Sequence, residues 1–272
     1  MCRLYEFRSN TLRKVECELI QSQNSLLAQS QHDERGQANP HGWGMAAYDG
    51  ALPSVSRQAE AASESSDFRW AAAQIYSCNV MAHVRRATVG KVETVNTHPF
   101  THEEWTFAHN GNLGAFESLQ PRLLDLMGEA HRNAIQGDTD SEHVFHWLLS
   151  RIEREPAASL ISTIRSSVQE LLGWSQIEDA NAEFALNIIL TKADRSVGCR
   201  LGRSLWYVER DLVHPCEVCD GVDHVKPGTL SDPYRAVVVA SERITQNEEW
   251  TSVPERTLFE ISDNISLKLE SL

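Results

Sequence analysis

The spacing of apolar residues predicts strands followed by helices in the first two thirds of the chain. Short apolar runs bounded by polar residues or glycine are typical of strands, and they lie at 3–9, after the turn at 39–44, at 80–84 and at 105–109. Helical spacing predicts helices over 113–127, from about 137 past 152, and over 159–172. We expect Gly173 to end the third helix, and residues 50–70 to form a surface insertion that leads into a helix.

The last third of the chain returns to strands. Apolar runs predict them at 184–190, 197–201, 205–208, 236–240 and 258–261. Turn residues at 193–195 and 202–203 predict hairpins between neighbouring strands. No repeat or long linker interrupts the sequence. Strands, helices and strands in this order predict stacked α+β layers in one domain that spans residues 1–272.

Composition narrows the class of function. The chain has 38 acidic and 25 basic residues, and its net charge of −13 argues against nucleic acid and against an anionic membrane surface as partners. No apolar run approaches the roughly 20 residues that span a bilayer, and no signal peptide is visible. Six cysteines without a regular framework are typical of a reducing cytosol, so we expect a cytoplasmic protein.

The first two residues carry the most specific chemistry. Methionine is normally removed when the next residue is small, so removal of Met1 would leave Cys2 as the N-terminus. One residue would then hold both a thiol and a free α-amine. A thiolate is a strong nucleophile, and an α-amine with a pKa of about 8 can act as a base near neutrality. Taken alone, Cys2 is more simply an ordinary cysteine.

The Asn110-Gly111 pair has two interpretations. An Asn-Gly pair after a strand is a strong signal for a hairpin turn, and that is the default. The alternative is an oxyanion hole, in which the Asn110 side-chain amide and the Gly111 backbone N–H stabilise a tetrahedral intermediate. A helical pattern follows the pair instead of a second strand, which weakens the hairpin interpretation.

Arg85 and Asp140 also have an ordinary explanation and a functional one. Arg85 follows a buried strand and is either a solvated loop charge or a two-pronged clamp for a carboxylate. Asp140 lies in the first turn of a helix, where the helix dipole alone explains it, and where Thr139 and Glu142 fit a capping box. Together, Arg85 and Asp140 could hold the two charged ends of an α-amino acid.

Six motifs in this order resemble the class II glutamine amidotransferases, which belong to the N-terminal-nucleophile hydrolases. The motifs are MCR at 1–3, NPHGWG at 39–44, AHVRRAT at 82–88, NTHPF at 96–100, FAHNG at 107–111 and GDTDSE at 137–142. Later segments at 204–207 and 239–242 extend the resemblance over most of the chain. It is similar above all to the stand-alone branch that includes YafJ-like proteins and γ-glutamyl hydrolases.

The resemblance implies a fold and a set of roles. The fold is a four-layer αββα sandwich with the nucleophile at the start of a strand. Cys2 is the nucleophile and its own α-amine is the base, while Asn110 and Gly111 form the oxyanion hole. The substrate residues are Arg85 for the α-carboxylate, Asp140 for the α-ammonium, and Thr88 and His98 for the walls of the glutamine pocket. No cofactor and no metal ligand are implied at this site.

One departure from the family pattern matters. The aminosugar-synthase branch has an aromatic residue after the clamp arginine and a histidine after the threonine, whereas this chain has Arg86 and Val89. No acceptor domain for ammonia is recognisable in the sequence. We therefore expect a hydrolase of small γ-glutamyl compounds. The alternatives are a glutaminase subunit that supplies ammonia to a separate synthase, and a non-catalytic subunit that assembles through zinc.

The zinc alternative depends on Cys216 and Cys219. Their C-x-x-C spacing suits half of a zinc site, with His214 and His224 nearby in the sequence. A single pair without a second matching pair favours a loop with free thiols over a metal site. The other cysteines are most simply core or surface thiols.

Overall fold

The computed structural model describes residues 2–213, 224–226 and 228–272, in which thirteen strands and six α-helices form. The strands are β1 Arg3–Lys14, β2 Trp43–Tyr48, β3 Pro53–Gln58, β4 Tyr76–Val84, β5 Phe100–His102, β6 Trp105–Asn112, β7 Ala185–Lys192, β8 Arg195–Arg200, β9 Trp206–Arg210, β10 Ala236–Ala240, β11 Thr251–Ser252, β12 Thr257–Ile261 and β13 Leu267–Ser271. The helices are α1 Leu26–Gln31, α2 Ser66–Gln74, α3 Phe116–Leu126, α4 Glu129–Ala134, α5 Asp140–Arg154 and α6 Leu160–Glu178.

The strands form two antiparallel sheets. The first has seven strands in the order β11-β9-β10-β1-β4-β2-β3, and the second has six in the order β13-β12-β8-β7-β6-β5. β1 is therefore a central strand, with β10 on one side and β4 on the other. Its pairing places Arg3 opposite Val84 of β4 and Tyr5 opposite Ala240 of β10. A central position holds the start of β1 from both sides.

The two sheets pack face to face through an apolar interior. Alternate residues of a strand point to opposite faces, so β1 directs Leu4 to this interior and Tyr5 and Phe7 to the other face. The residues that fill the interior are fully or almost fully buried: Leu4, Met81, Ala108, Ile189, Leu205, Val237, Val239, Val253, Phe259, Ile261 and Ile265. This layer fixes the separation of the sheets, and therefore of any groups that face each other across it.

Helices cover both outer faces. The outer face of the first sheet packs against α1 and α2, with Leu26 and Phe68 buried there. The outer face of the second sheet packs against α3, α5 and α6, which bury Leu119, Leu148 and Val168. The predicted four-layer αββα sandwich is confirmed. No helix in the described part of the chain is both long and apolar enough to cross a membrane.

Several local predictions were wrong. Asn110-Gly111 is not a hairpin turn, because both residues lie inside β6 and pair with β7. The turn at 202–203 does not join a hairpin either, since β8 and β9 belong to different sheets. α6 runs through Gly173 to Glu178. The insertion at 50–70 leads into a helix as predicted, since α2 begins at Ser66, but it also contains an unpredicted edge strand, β3, paired with β2.

Candidate active site

Cys2 lies immediately before β1 and is half-buried. Its Sγ receives the backbone N–H of Arg86 at 3.3 Å and lies 3.4 Å from the Arg86 carbonyl oxygen, to which the thiol can donate. These contacts follow from the pairing of Arg3 with Val84, which brings the residues after β4 beside the start of β1. Met1 lies outside the described residues.

The surroundings of Cys2 favour the neutral thiol. Burial raises the pKa of the Cys2 thiol above its usual range, and the Arg86 hydrogen bond and the Arg85 charge only partly oppose this effect. The Asp140 charge raises the thiol pKa further. A thiol that remains protonated near neutrality needs a base within reach to become a nucleophile.

Arg3 fixes the main chain of Cys2. Its Nη1 donates to the Cys2 carbonyl oxygen at 3.0 Å. The same guanidinium forms ion pairs with Asp33, at 3.0 Å from Nη2, and with Glu242 through Nε. All three charged side chains are buried. Removing one partner of a buried ion pair leaves an uncompensated charge, so this network holds Cys2 in one position.

Arg85 continues from the end of β4 and is buried. Its guanidinium donates to the carbonyl oxygen of Lys91 at 2.8 Å from Nη1 and to that of Val89 at 2.9 Å from Nη2. These bonds tie the loop after β4 to the arginine. A guanidinium has five N–H donors in a rigid fork, so further donors remain for a carboxylate.

Asp140 is the first residue of α5. The Thr139 hydroxyl accepts from the Glu142 backbone N–H, which confirms one half of the predicted capping box. The Glu142 carboxylate accepts from the backbone N–H groups of Gln136 and Gly137 instead of that of Thr139. The carboxylate of Asp140 accepts from the backbone N–H of Leu113 at 2.8 Å and from that of Ser141 at 2.7 Å. Leu113 directly follows β6, so these bonds tie α5 to the end of the strand that carries Asn110.

Asn110 lies on the interior face of β6, two residues after Ala108. Its side-chain Nδ2 lies 3.2 Å from Oγ of Ser241, the residue after β10. The next residue must be glycine for steric reasons. A Cβ on Gly111 would lie 1.9 Å from the Ala185 carbonyl oxygen, so any side chain there would push β7 away.

The two predicted pocket residues lie in different surroundings. Thr88 is exposed in the loop after β4. His98 is buried, and its ring stacks on that of His83 with centroids 4.2 Å apart. Burial lowers the pKa of His98 well below its usual value. His98 therefore has a neutral imidazole, and the roles of Thr88 and His98 in a glutamine pocket stay predictions.

Three of the predicted residues lie within electrostatic range of one another. The Arg85 charge lowers the pKa of the Cys2 thiol, and the Asp140 charge raises it. Asn110 is linked to the same region through Ser241, whose Oγ also accepts from the backbone N–H of Leu4, two residues after Cys2. The start of β1, the end of β4, the end of β6 and the start of α5 thus converge at one end of the sandwich.

The buried histidine pair predicts acid sensitivity. His83 Nε2 donates to the His109 carbonyl oxygen, and burial lowers the pKa of His83 from 6.5 to about 3. Between pH 6.5 and 3, His83 is protonated in the unfolded chain but neutral in the folded one. The contribution of neutral His83 to the free energy of unfolding is therefore complete above pH 6.5 and is lost as the pH falls toward 3.

We expect the free energy of unfolding in urea to fall less steeply between pH 6.5 and 4.5 for His83→Gln than for the wild type. The two slopes of unfolding free energy against pH should differ by at most about 1.4 kcal/mol per pH unit, which corresponds to one proton. His32→Gln, a change at an exposed ring, should keep the wild-type slope. Parallel slopes for His83→Gln and the wild type would contradict a neutral, buried His83.

Three contacts at the site were not predicted from the sequence. The backbone of Arg86 contacts the Cys2 sulfur, Arg3 holds the Cys2 carbonyl, and Ser241 contacts Asn110. Only the last had a signal, because an apolar strand that ends in a serine places a hydroxyl at its edge. Asp33 and Glu242, the ion-pair partners of Arg3, are distant from it in sequence and come together only in the folded chain.

The predicted zinc loop cannot be placed, since His214, Cys216 and Cys219 lie outside the described residues. His224 is described, and its Nε2 lies 3.5 Å from the Cys17 sulfur. Within 2–213, 224–226 and 228–272, no group of three or more His, Cys, Asp or Glu side chains is arranged to hold a metal ion.

Comparisons of the sequence with known proteins agree with the motifs. A family profile described as "Glutamine amidotransferases class-II" matches residues 1–268. The chain is 30% identical over 238 residues to the putative glutamine amidotransferase YafJ of Escherichia coli (strain K12), covering 80% of this chain and 84% of that protein. It is 27% identical over 234 residues to a gamma-glutamyl-hercynylcysteine sulfoxide hydrolase of Mycobacterium tuberculosis, covering 84% of this chain and 78% of the relative.

A comparison of the structure supports the fold. A glutamine aminotransferase class-II domain protein from Silicibacter pomeroyi superposes with a TM-score of 0.67 at 18% sequence identity. The superposition covers 100% of this chain and 99% of that one. The similarity therefore extends over all the layers of the sandwich.

Proposed function

The chain belongs to the class II glutamine amidotransferase family, and on that premise we propose that it is an N-terminal-cysteine amidohydrolase that works as a single domain. Its substrate is glutamine or another γ-glutamyl amide. The reaction passes through a γ-glutamyl thioester on Cys2 and releases glutamate together with ammonia or an amine. No cofactor takes part in this scheme.

The observation that carries the proposal is the environment of the Cys2 sulfur. The Arg86 backbone N–H points at it from 3.3 Å, and the charges of Arg85 and Asp140 act on it. A basic and an acidic side chain whose charges both reach a nucleophile suit a substrate that carries one carboxylate and one ammonium group. The γ-glutamyl group has both.

Binding and activation come first in the mechanism. Arg85 binds the α-carboxylate and Asp140 the α-ammonium, which places the γ-carbonyl at the sulfur. The free α-amine of Cys2 takes the thiol proton, and the thiolate attacks the γ-carbon. The Arg86 N–H stabilises the developing thiolate before the attack. Because burial raises the pKa of the thiol, a base beside it favours formation of the thiolate, and the α-amine of Cys2 takes that role.

Acyl transfer completes the cycle. The carbonyl oxygen becomes an oxyanion that accepts from the Asn110 amide and the Gly111 backbone N–H, and one such donor is typically worth about 3–4 kcal/mol. The tetrahedral intermediate collapses, and the α-ammonium returns its proton to the departing nitrogen. Water, deprotonated by the same amine, then attacks the thioester. The second collapse frees glutamate and restores the thiol.

A hydrolase of γ-glutamyl compounds is favoured over a subunit that supplies ammonia. The Mycobacterium relative is named as a hydrolase of such a compound. A panel of γ-glutamyl amides, with glutamine included, tests this by measuring released glutamate. Turnover of glutamine alone would favour ammonia supply to a synthase, and no glutamate from any substrate would overturn the proposal.

Arg85→Lys tests the carboxylate clamp. Lysine keeps the charge but loses the fork, so it cannot serve both the loop carbonyls and a two-pronged carboxylate. We expect KM for a γ-glutamyl amide to rise about 10–100-fold, the usual cost of a hydrogen bond to a charged group, with a smaller change in kcat. The control Arg86→Lys, whose side chain contacts Gln37, should leave KM within about twofold of the wild type.

A substrate that lacks the α-carboxylate sharpens this test. For the wild type, removing the carboxylate should raise KM about as much as the Arg85→Lys substitution does. The variant should discriminate between the two substrates much less than the wild type, because its lysine has lost the fork that binds the carboxylate. A variant that still prefers the intact substrate by the wild-type factor would rule out Arg85 as the clamp.

A further inference from the structure

Ser241 joins the nucleophile strand to the strand of the oxyanion hole. It follows β10 and is completely buried. Its Oγ lies 3.0 Å from the backbone nitrogen of Leu4, on β1, and 3.2 Å from Nδ2 of Asn110, on β6 of the opposite sheet. One hydroxyl therefore bridges the two sheets at the end of the sandwich that holds Cys2.

Hydrogen-bond accounting indicates how the bridge works. The Leu4 N–H can only donate, so Oγ accepts from it, and the hydroxyl hydrogen is left to donate elsewhere. With Nδ2 of Asn110 on the Ser241 side, the buried Oδ1 of Asn110 has no partner among the described residues. A 180° flip of the Asn110 side-chain amide exchanges the positions of Oδ1 and Nδ2. Oδ1 then accepts from the Ser241 hydroxyl, and the Nδ2 hydrogens face away from it.

We propose that Ser241 is a positioning residue that orients the Asn110 amide so that its N–H donors serve the oxyanion. The inference rests on the proposed function. Ser241 sets both the direction of the Asn110 amide and its distance from β1, because its Oγ is also hydrogen-bonded to the backbone N–H of Leu4, two residues after Cys2. A preorganised donor is effective only when it is aimed at the place where charge develops.

The adjacent residue strengthens the assignment. Glu242 forms an ion pair with Arg3, which in turn donates to the Cys2 carbonyl oxygen. Two consecutive residues after β10 thus position two parts of the site, the oxyanion donor and the nucleophile. Ser241 acts on the oxyanion donor, and Glu242 acts through Arg3 on the main chain of the nucleophile.

Ser241→Ala should lower kcat for a γ-glutamyl amide about tenfold or more, but by less than the roughly 10²–10³-fold expected when the donor itself is removed. KM should stay near the wild-type value, because the oxyanion does not exist in the bound ground state. Ser241→Thr keeps the hydroxyl and should restore most of the lost kcat.

A double-mutant cycle separates positioning from a purely structural role. If Ser241 acts through Asn110, Ser241→Ala should have no further effect on kcat in an Asn110→Ala background. A general loss of packing would instead lower kcat by the same factor in both backgrounds. Equal factors, or an unchanged kcat for the single variant, would overturn the inference.

Ser77→Ala is the matched control. Ser77 is also buried, and its Oγ accepts a backbone N–H, that of Asn79, at 3.0 Å. We expect Ser77→Ala to lower the thermal unfolding temperature as Ser241→Ala does, but to keep the wild-type kcat. Failure of the proposed function has a different signature. The wild type would then release no glutamate, or Asn110→Ala alone would leave kcat unchanged, and the inference would fall with it.

Discussion

Cys2→Ala should abolish the release of glutamate from γ-glutamyl amides. Removing the nucleophile of an acyl-transfer enzyme lowers kcat by about four orders of magnitude or more. The fold should survive, because within the described part of the chain the Cys2 thiol is hydrogen-bonded only to the backbone of Arg86 and the main chain is held by Arg3. The measurement is steady-state glutamate release, with circular dichroism and thermal unfolding to verify the fold.

Cys78→Ala provides the control. Cys78 is half-buried like Cys2, and burial likewise raises the pKa of its thiol. It lies in the middle of the chain, without a terminal amine, so its removal should leave kcat at the wild-type value. Retained turnover in Cys2→Ala, or an equal loss in Cys78→Ala, would refute the assignment of the nucleophile.

Asn110→Ala should give the second largest effect, a fall in kcat of about 10²–10³-fold with little change in KM. The amide is needed only when the carbonyl oxygen becomes charged, so its loss raises the barrier without weakening substrate binding. Rapid-quench measurement of acyl-enzyme formation would place the defect in the first chemical step.

A neighbouring asparagine serves as the control for this substitution. Asn112 lies on the same strand, and its amide donates to the Glu183 carbonyl oxygen instead of lying beside Ser241. Asn112→Ala should keep kcat within about twofold of the wild type. A higher KM with unchanged kcat for Asn110→Ala would mean that the amide binds the ground state, which is a different role.

Much of the fold was predictable because local pattern and packing agree. The apolar residues of 113–127 share one side, and α3 buries that side against the second sheet. The sequence pattern was misleading where the same residues are typical of two different structures. Gly202-Arg203 looks like a hairpin turn, yet the chain crosses there from one sheet to the other. Gly173 looks like a helix stop, but the helix continues because its packing outweighs the roughly 1 kcal/mol cost of glycine.

The site was predictable only as far as short motifs reach. Cys2, Arg85 and Asp140 were each recognisable from neighbouring residues, and the fold places them within electrostatic reach of one another. The contacts that orient them depend on residues far away in sequence, such as Ser241 beside Asn110. Such contacts depend on the register of the strands and on how the two sheets pack, which cannot be read from short motifs in one sequence.

The most direct test of the central claim is the intact mass of the protein after a brief reaction with a γ-glutamyl amide and an acid quench, followed by peptide mapping. We expect a chain without Met1 that carries one γ-glutamyl group on the Cys2 sulfur, and no such adduct on Cys2→Ala. A γ-glutamyl group on another residue, or full activity in a chain that retains Met1, would contradict that claim.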